Sequence, residues 1–286
     1  MSSALLRTPL HEYHAALGAK LGGFAGWDMP LQYTTVREEH TAVRTRCGVF
    51  DVSHMGQITV FGVEARAYLQ QALTNDIERL EPGEGQYTLL CREDGGVIDD
   101  LIVYEVLDHY MIICNASNVA PVFAWLAGRA PEGVIVTDVS ERYAMLAVQG
   151  PLWEQAMAPL VAGSEIFDLP YFGIAQTTLV GVPSLVARTG YTGEPGVEIM
   201  CPSHRAADVW DALMAGNGAP APVGLAARDT LRMEMGYPLY GQELGLDRTP
   251  ISAGLKWACD LEGEFTGAEI MRRQVADGTV DRLCIF

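Results

Sequence analysis

The stretch Gly95-Gly96-Val97-Ile98-Asp99-Asp100-Leu101-Ile102-Val103-Tyr104 decides how this chain is read. Asp94-Gly95-Gly96 marks a tight turn, and 97–106 is rich in the β-branched and aromatic residues that favour strands. Two adjacent carboxylates interrupt this otherwise apolar strand, and a buried charge is costly unless it is paired or used. Neighbours on a strand point to opposite faces, so the two aspartates do not act side by side as a dyad. Asp100 shares its face with Ile98, Ile102, Tyr104 and Val106, whereas Asp99 shares its face with Val97, Leu101, Val103 and Glu105. The wholly apolar face is expected inside, which directs Asp100 inward and Asp99 toward a more polar side. An inward carboxyl against apolar walls has its pKa raised by desolvation, as suits a proton-handling group. The competing reading is that both aspartates serve the turn that precedes them. On the first reading, replacement of Asp100 harms activity more than replacement of Asp99.

Alternation continues outward from this strand. Residues 57–60, 85–91 and 110–114 read as further strands, and 63–73 and 119–127 carry helical spacing. Near Pro131-Glu132-Gly133 the pattern restarts. Strands are predicted around Val134, Ala144, Thr177 and Val186, and helices over 153–160, 206–215 and 225–235. At the amino end, 8–17 and 33–46 read as helices, and the glycine-rich 22–27 as a loop that lacks the dinucleotide-binding spacing. The fold class is therefore α+β, with antiparallel sheets flanked by helices in two lobes that run through similar elements.

The net charge of −17 argues against nonspecific nucleic-acid binding, which requires Lys and Arg to neutralise phosphates. Lys20 and Lys256 are the only lysines, so an anionic ligand must be met by local arginines. No apolar run approaches the ~20 residues of a membrane helix, and the opening segment lacks a signal-peptide pattern. The six cysteines are dispersed without C-x-x-C spacing and read as reduced cytosolic thiols; the six histidines show no metal-binding spacing, so no metal site is expected. Asn115 ends an apolar run, where its amide can meet a heterocycle edge or merely terminate a strand. The loop 189–198 sets Tyr191 and Glu198 among glycines that permit close backbone approach but also make ordinary turns. Arg228 and Arg232 lie four apart on one helix face, placed either to hold a carboxylate or to lie solvated beside Asp229 and Glu234.

Taken together these segments resemble the folate-dependent aminomethyltransferase family, the T-proteins of the glycine cleavage system. The resemblance is carried by Phe24-Ala25-Gly26-Trp27-Asp28-Met29-Pro30, by Gly48-Val49-Phe50-Asp51-Val52-Ser53-His54-Met55-Gly56 and by the Asp99-Asp100 strand. It continues through Asn115-Ala116-Ser117-Asn118, Arg188-Thr189-Gly190-Tyr191-Thr192-Gly193-Glu194, Gly224-Leu225-Ala226-Ala227-Arg228-Asp229 and Leu239-Tyr240-Gly241-Gln242-Glu243, in the family's order. It implies a cytoplasmic enzyme that takes an aminomethyl group from the lipoyl arm of H-protein. Ammonia is released and the one-carbon unit passes to tetrahydrofolate, giving 5,10-methylenetetrahydrofolate.

By position, the resemblance makes Asp100 the catalytic aspartate, and makes Met55, Tyr87, Asn115, Tyr191, Glu198, Arg228 and Tyr237 the lining of the folate pocket. No metal, nucleic acid or membrane is implied. Residues 1–275 correspond to the two-lobed folate-binding domain. Residues 276–286 correspond to the start of a carboxy-terminal β-barrel that family members continue into and that is otherwise absent, leaving Leu283 and Ile285 exposed. Two other readings use the same fold: a folate-dependent demethylase of a small sulfur or nitrogen compound, and a noncatalytic folate-binding protein. The latter relatives carry a cysteine where this chain has Pro238, which counts against them.

Overall fold

The computed structural model describes residues 4–216 and 218–284. Its contacts divide the chain into two units, Met1–His54 with Ser140–Tyr237 and Met55–Val139 with Pro238–Phe286.

The first unit opens with α1 (His11–Ala16), the hairpin β1 (Lys20–Phe24) and β2 (Trp27–Gln32), α2 (Val36–Thr45) and β3 (Gly48–Asp51). Thr35 caps α2 through Glu38 in a reciprocal capping box, which fixes a helix start that spacing alone placed two or three residues earlier. The predicted loop at 22–27 is instead this hairpin. Ala25 and Gly26 both take positive φ at its turn, the backbone that a two-residue connection requires.

The second unit follows with β4 (Gly56–Phe61), α3 (Ala65–Ala72), β5 (Gly85–Cys91), β6 (Val97–Val106), β7 (His109–Cys114), α4 (Val119–Arg129) and β8 (Ile135–Asp138). The chain then returns to the first unit with β9 (Tyr143–Gln149), α5 (Trp153–Met157), β10 (Ile174–Leu179), β11 (Val182–Ala187), β12 (Gly196–Pro202), α6 (Ala206–Met214), β13 (Ala221–Pro222) and α7 (Leu225–Glu234). In the second unit, α8 (Ala268–Asp277) is the last of these elements; Leu283 is half-buried, its N–H donating to the Ser252 carbonyl at 2.8 Å. The expectation for Ile285 falls outside the described residues.

The sheet order is β5-β6-β7-β4-β8 in the second unit and β10-β11-β12-β9-β3-β13 in the first. Each unit runs strand, helix, three-strand meander, helix, strand. In each the leading strand pairs antiparallel with the last meander strand, β4 with β7 and β9 with β12. The two orders match except that β3 is inserted beside β9 in the first unit. The two-lobe α+β reading is thus the architecture observed.

The helix-facing core of the second unit joins Ile58, Val60, Leu101, Val103 and Ile112 to Leu69 and Leu126. The expected face assignment on β6 is reversed. Asp99 is fully buried on the side that carries Leu101 and Val103, and Asp100 keeps partial access to solvent. Polarity misled the reading because both acids on the covered face have partners. Glu105 pairs with Arg66, and Asp99 with the side chains of Asn115 and Asn118.

The first unit is centred on Leu146, Val148, Ile199, Trp153 and Trp210. Beside it lies a buried polar cluster that fixes α1 against β3. His14 Nε2 sits 2.7 Å from Asp51 Oδ2, the Tyr33 hydroxyl 2.8 Å from His14 Nδ1, and Ser53 N–H donates to Asp51 Oδ1 at 2.9 Å. Burial pushes the Asp51 carboxyl up. The hydrogen bond and charge of His14, with the Ser53 donor, outweigh it and hold the group below its usual range. A carboxyl depressed in the folded state stabilises above its unfolded pKa of about 4 and loses that contribution as pH falls through the folded value. Asp51→Asn is therefore expected to cost about 3 kcal/mol at neutral pH, by analogy with other broken buried pairs. Urea denaturation from pH 7 down to pH 2 checks this: the gap between parent and variant narrows only below about pH 4. A gap that is constant with pH contradicts it.

Candidate active site

The second unit brings together Tyr87, Asp100 and Asn115, with Met55 beside them. Leu89 on β5 is the register partner of Asp100, which puts Tyr87, two residues away, on the same face. The Tyr87 hydroxyl donates to Asp100 Oδ2 at 3.0 Å, and Asn115 Nδ2 donates to Asp100 Oδ1 at 2.8 Å. Burial raises the Asp100 pKa; the donors Tyr87 and Asn115 oppose it without cancelling it. Gly56 pairs with Cys114, so half-buried Met55 lies at the same end of the sheet as Asn115.

Behind this face Asp99 accepts from Asn115 N–H at 2.9 Å, from Asn115 Nδ2 at 2.8 Å and from Asn118 Nδ2 at 2.6 Å. Burial, and then the charge of Asp100, push the Asp99 carboxyl well up, against those donors. Asp100 is thus a half-buried carboxyl with an elevated pKa and two fixed donors. That arrangement suits transfer of a proton to or from a bound nitrogen.

The first unit brings together Tyr191, Arg228 and Tyr237, with Glu198 in electrostatic reach of Arg228. Glu198 lies on β12 between Ala147 of β9 and Ala187 of β11, two small neighbours that leave room at its head. It is 5% exposed and accepts from the Thr189 hydroxyl at 2.7 Å. Arg228 is carried on α7, whose first turn is anchored where Gly224 N–H donates to Glu39 Oε2 at 2.8 Å. Its guanidinium lies 4.8 Å above the Tyr191 ring and 6.0 Å from that of Phe50. Burial lowers the Arg228 pKa, opposed by Glu198 and Tyr191, and the group remains a cation. Its Nη1 is sealed from solvent without a hydrogen-bond partner among the described residues.

The Tyr191 and Tyr237 rings stack at 5.8 Å. Gln149 pins the loop that carries Tyr191: its Nε2 donates to the Thr189 carbonyl at 3.0 Å, and its Oε1 accepts from Thr192 at 2.9 Å. A Cβ on Gly190 would come 1.8 Å from that Oε1, which explains the glycine. Of the two arginines read as a pair, Arg232 is bound to Asp229 and to the Tyr237 carbonyl, whereas Arg228 lies over the Tyr191 ring.

Three residues escaped the sequence reading. Trp257 is 66% exposed and stacks on Tyr87 at 5.2 Å; no spacing signal links it to that strand. His54 is buried, with its pKa lowered to about 4 by burial and by the charge of Arg228, against Asp51, so it is a neutral imidazole. Asn118 stood in a quoted motif, but its partner is visible only in three dimensions. Among the described residues no group of three or more His, Cys, Asp or Glu is arranged to hold a metal, and no helix is long and apolar enough to cross a membrane.

Residues 10–263 match the family described as the GCVT N-terminal domain. The chain is 46% identical over 288 residues to an aminomethyltransferase of Geobacillus kaustophilus, covering 98% of this chain and 78% of that protein. It is 45% identical over 285 residues to one of Anoxybacillus flavithermus, with the same coverage. The solved glycine cleavage system aminomethyltransferase T from Bartonella henselae superposes with a TM-score of 0.89 at 36% identity, over 96% of this chain and 76% of that one. Alternating sheets, a cradled aspartate and these likenesses all lead to one assignment: the chain belongs to the aminomethyltransferase family and is an enzyme of that family.

Proposed function

We propose that the chain moves a one-carbon unit from the aminomethylated lipoyl arm of H-protein to tetrahydrofolate in the cytoplasm, as the T-protein of glycine cleavage. The observation that carries this reading is the half-buried Asp100 carboxyl, held between Tyr87 and Asn115 with a raised pKa. The S–CH2 and C–N bonds of the carrier break, and two C–N bonds to tetrahydrofolate form. The two hydrogens given up by the folate nitrogens end on the lipoyl sulfur and on ammonia, with no net oxidation. Asp100 is the residue placed to orient a folate nitrogen and accept or return its proton.

The residues of the first unit fit a flat reduced pterin. Glu198 offers a carboxylate for two parallel N–H donors, Arg228 Nη1 a buried donor for a carbonyl, and the tyrosines apolar faces. In the second unit, Met55 supplies an adaptable apolar side chain at the end of the sheet that carries Asn115. The same proposal includes the domain reading, with 1–275 as the folate-binding domain and the following residues as the approach to a β-barrel; α8 runs across that boundary to Asp277.

Asp100→Asn keeps the shape of the side chain and removes its proton affinity. Turnover with aminomethylated H-protein and tetrahydrofolate should fall at least ~100-fold, with the thermal midpoint nearly unchanged. Activity within twofold of the parent would remove Asp100 from the mechanism. Glu198→Gln should weaken tetrahydrofolate binding roughly tenfold or more in calorimetry, as expected for loss of a charge-assisted pair. Unaltered affinity would place the pterin elsewhere.

A further inference from the structure

The amide of Asn115 is held in one orientation. One hydrogen of Nδ2 lies on Asp99 Oδ1 and the other on Asp100 Oδ1, each at 2.8 Å, while the backbone N–H of the same residue lies on Asp99 Oδ2 at 2.9 Å. The flipped amide would set its oxygen against two carboxyl oxygens at hydrogen-bond distance. Asp99 cannot turn to relieve this, because its Oδ1 also accepts from Asn118 Nδ2 at 2.6 Å and the carboxyl is fully buried. The consequence falls on Asn115 Oδ1. It has no partner among the described residues, is not sealed from solvent, and has only acceptor capacity.

We infer that Asp99 and Asn118 are positioning residues, which lock Asn115 so that its amide oxygen is presented as an acceptor for an N–H of the bound ligand. This rests on the folate reading given above. An acceptor-only oxygen beside the Asp100 carboxyl rewards a nitrogen that carries hydrogen and penalises a bare or carbon-substituted position. Reduced tetrahydropterins carry N–H at both N5 and N8; oxidised pterins have lost those two. The Asp99 cluster therefore sets preference for the reduction state of the substrate without touching it.

The test is a cycle between protein and ligand. Calorimetric affinities are measured for tetrahydrofolate and for its 5-deaza and 8-deaza analogues, in each of which CH2 replaces one ring N–H. The proteins are the parent chain, Asp99→Asn and Asn115→Ala. In the parent, at least one analogue should bind roughly tenfold more weakly than tetrahydrofolate, the scale of an acceptor left unpaired. That penalty should shrink to within about threefold in both variants, a small residual coupling. A purely structural loosening would instead weaken all three ligands alike and leave the penalty intact. Asn115 is half-buried, so Asn115→Ala keeps the test available if Asp99→Asn folds poorly. A parent that binds tetrahydrofolate without any analogue penalty, or variants that keep the penalty, overturns the positioning role. A parent that binds no tetrahydrofolate removes the folate reading and this inference with it.

Discussion

A carboxyl group taken out of water has to find donors, and in the second unit this requirement organises the end of the sheet. Asp99 sits under α3 and α4 with its oxygens engaged by the turn after β7. Because strand neighbours alternate, fixing Asp99 toward the helices fixes Asp100 on the opposite face, beside the second core built on Leu89, Leu244 and Phe265. The donor that completes Asp99 is the one that reaches Asp100, so a structural need and a chemical one are met by the same amide. Were the register of β6 shifted by one residue, both would fail together.

The first unit solves a related problem differently. Its buried carboxylate, Glu198, is on the last meander strand rather than the middle one, and it accepts from the Thr189 hydroxyl between two small alanines rather than from a cage of amides. Arg228 lies close enough to balance its charge, while the Tyr191 face supports the guanidinium. The same order of strands and helices thus carries two electrostatic designs. One unit holds a half-buried acid of raised pKa; the other holds a half-buried cation whose Nη1 is sealed from solvent.

Much of this was legible in the sequence. The strands around Asp99-Asp100, the helices at 119 and 225 and the doubled pattern all followed from periodicity, since these elements bury one face and expose the other. Four of the named residues were drawn from motifs whose chemistry is local: a carboxylate in an apolar strand, an amide at a strand end, an aromatic in a glycine loop, an arginine on a helix. What could not be read was which of two adjacent carboxylates points inward. Counting polar residues per face treats Glu105 and Asp99 as solvent-seeking, and only Arg66, Asn115 and Asn118 reverse that expectation. The hairpin at Ala25-Gly26 was missed for a similar reason, because glycines crowded into a short stretch mask a strand that tolerates them. Trp257 and His54 owe their places to neighbours distant in sequence or to burial, which no window of residues reports.

The way the two units interleave bears on how the chain is made. All the strands of the second unit's sheet lie between Gly56 and Asp138, so its ladders close over one uninterrupted segment. The first unit is split, and β3 must wait for β9, synthesised roughly ninety residues later, a separation whose closure entropy grows only slowly with length. On a ribosome that delivers the chain from its amino end, the second sheet can assemble while β3 is still unpaired. Until β9 emerges, β3, with the apolar side chains of Val49 and Phe50, has no sheet to join, and its exposed edge is the point at which an unfinished chain is open to mispairing.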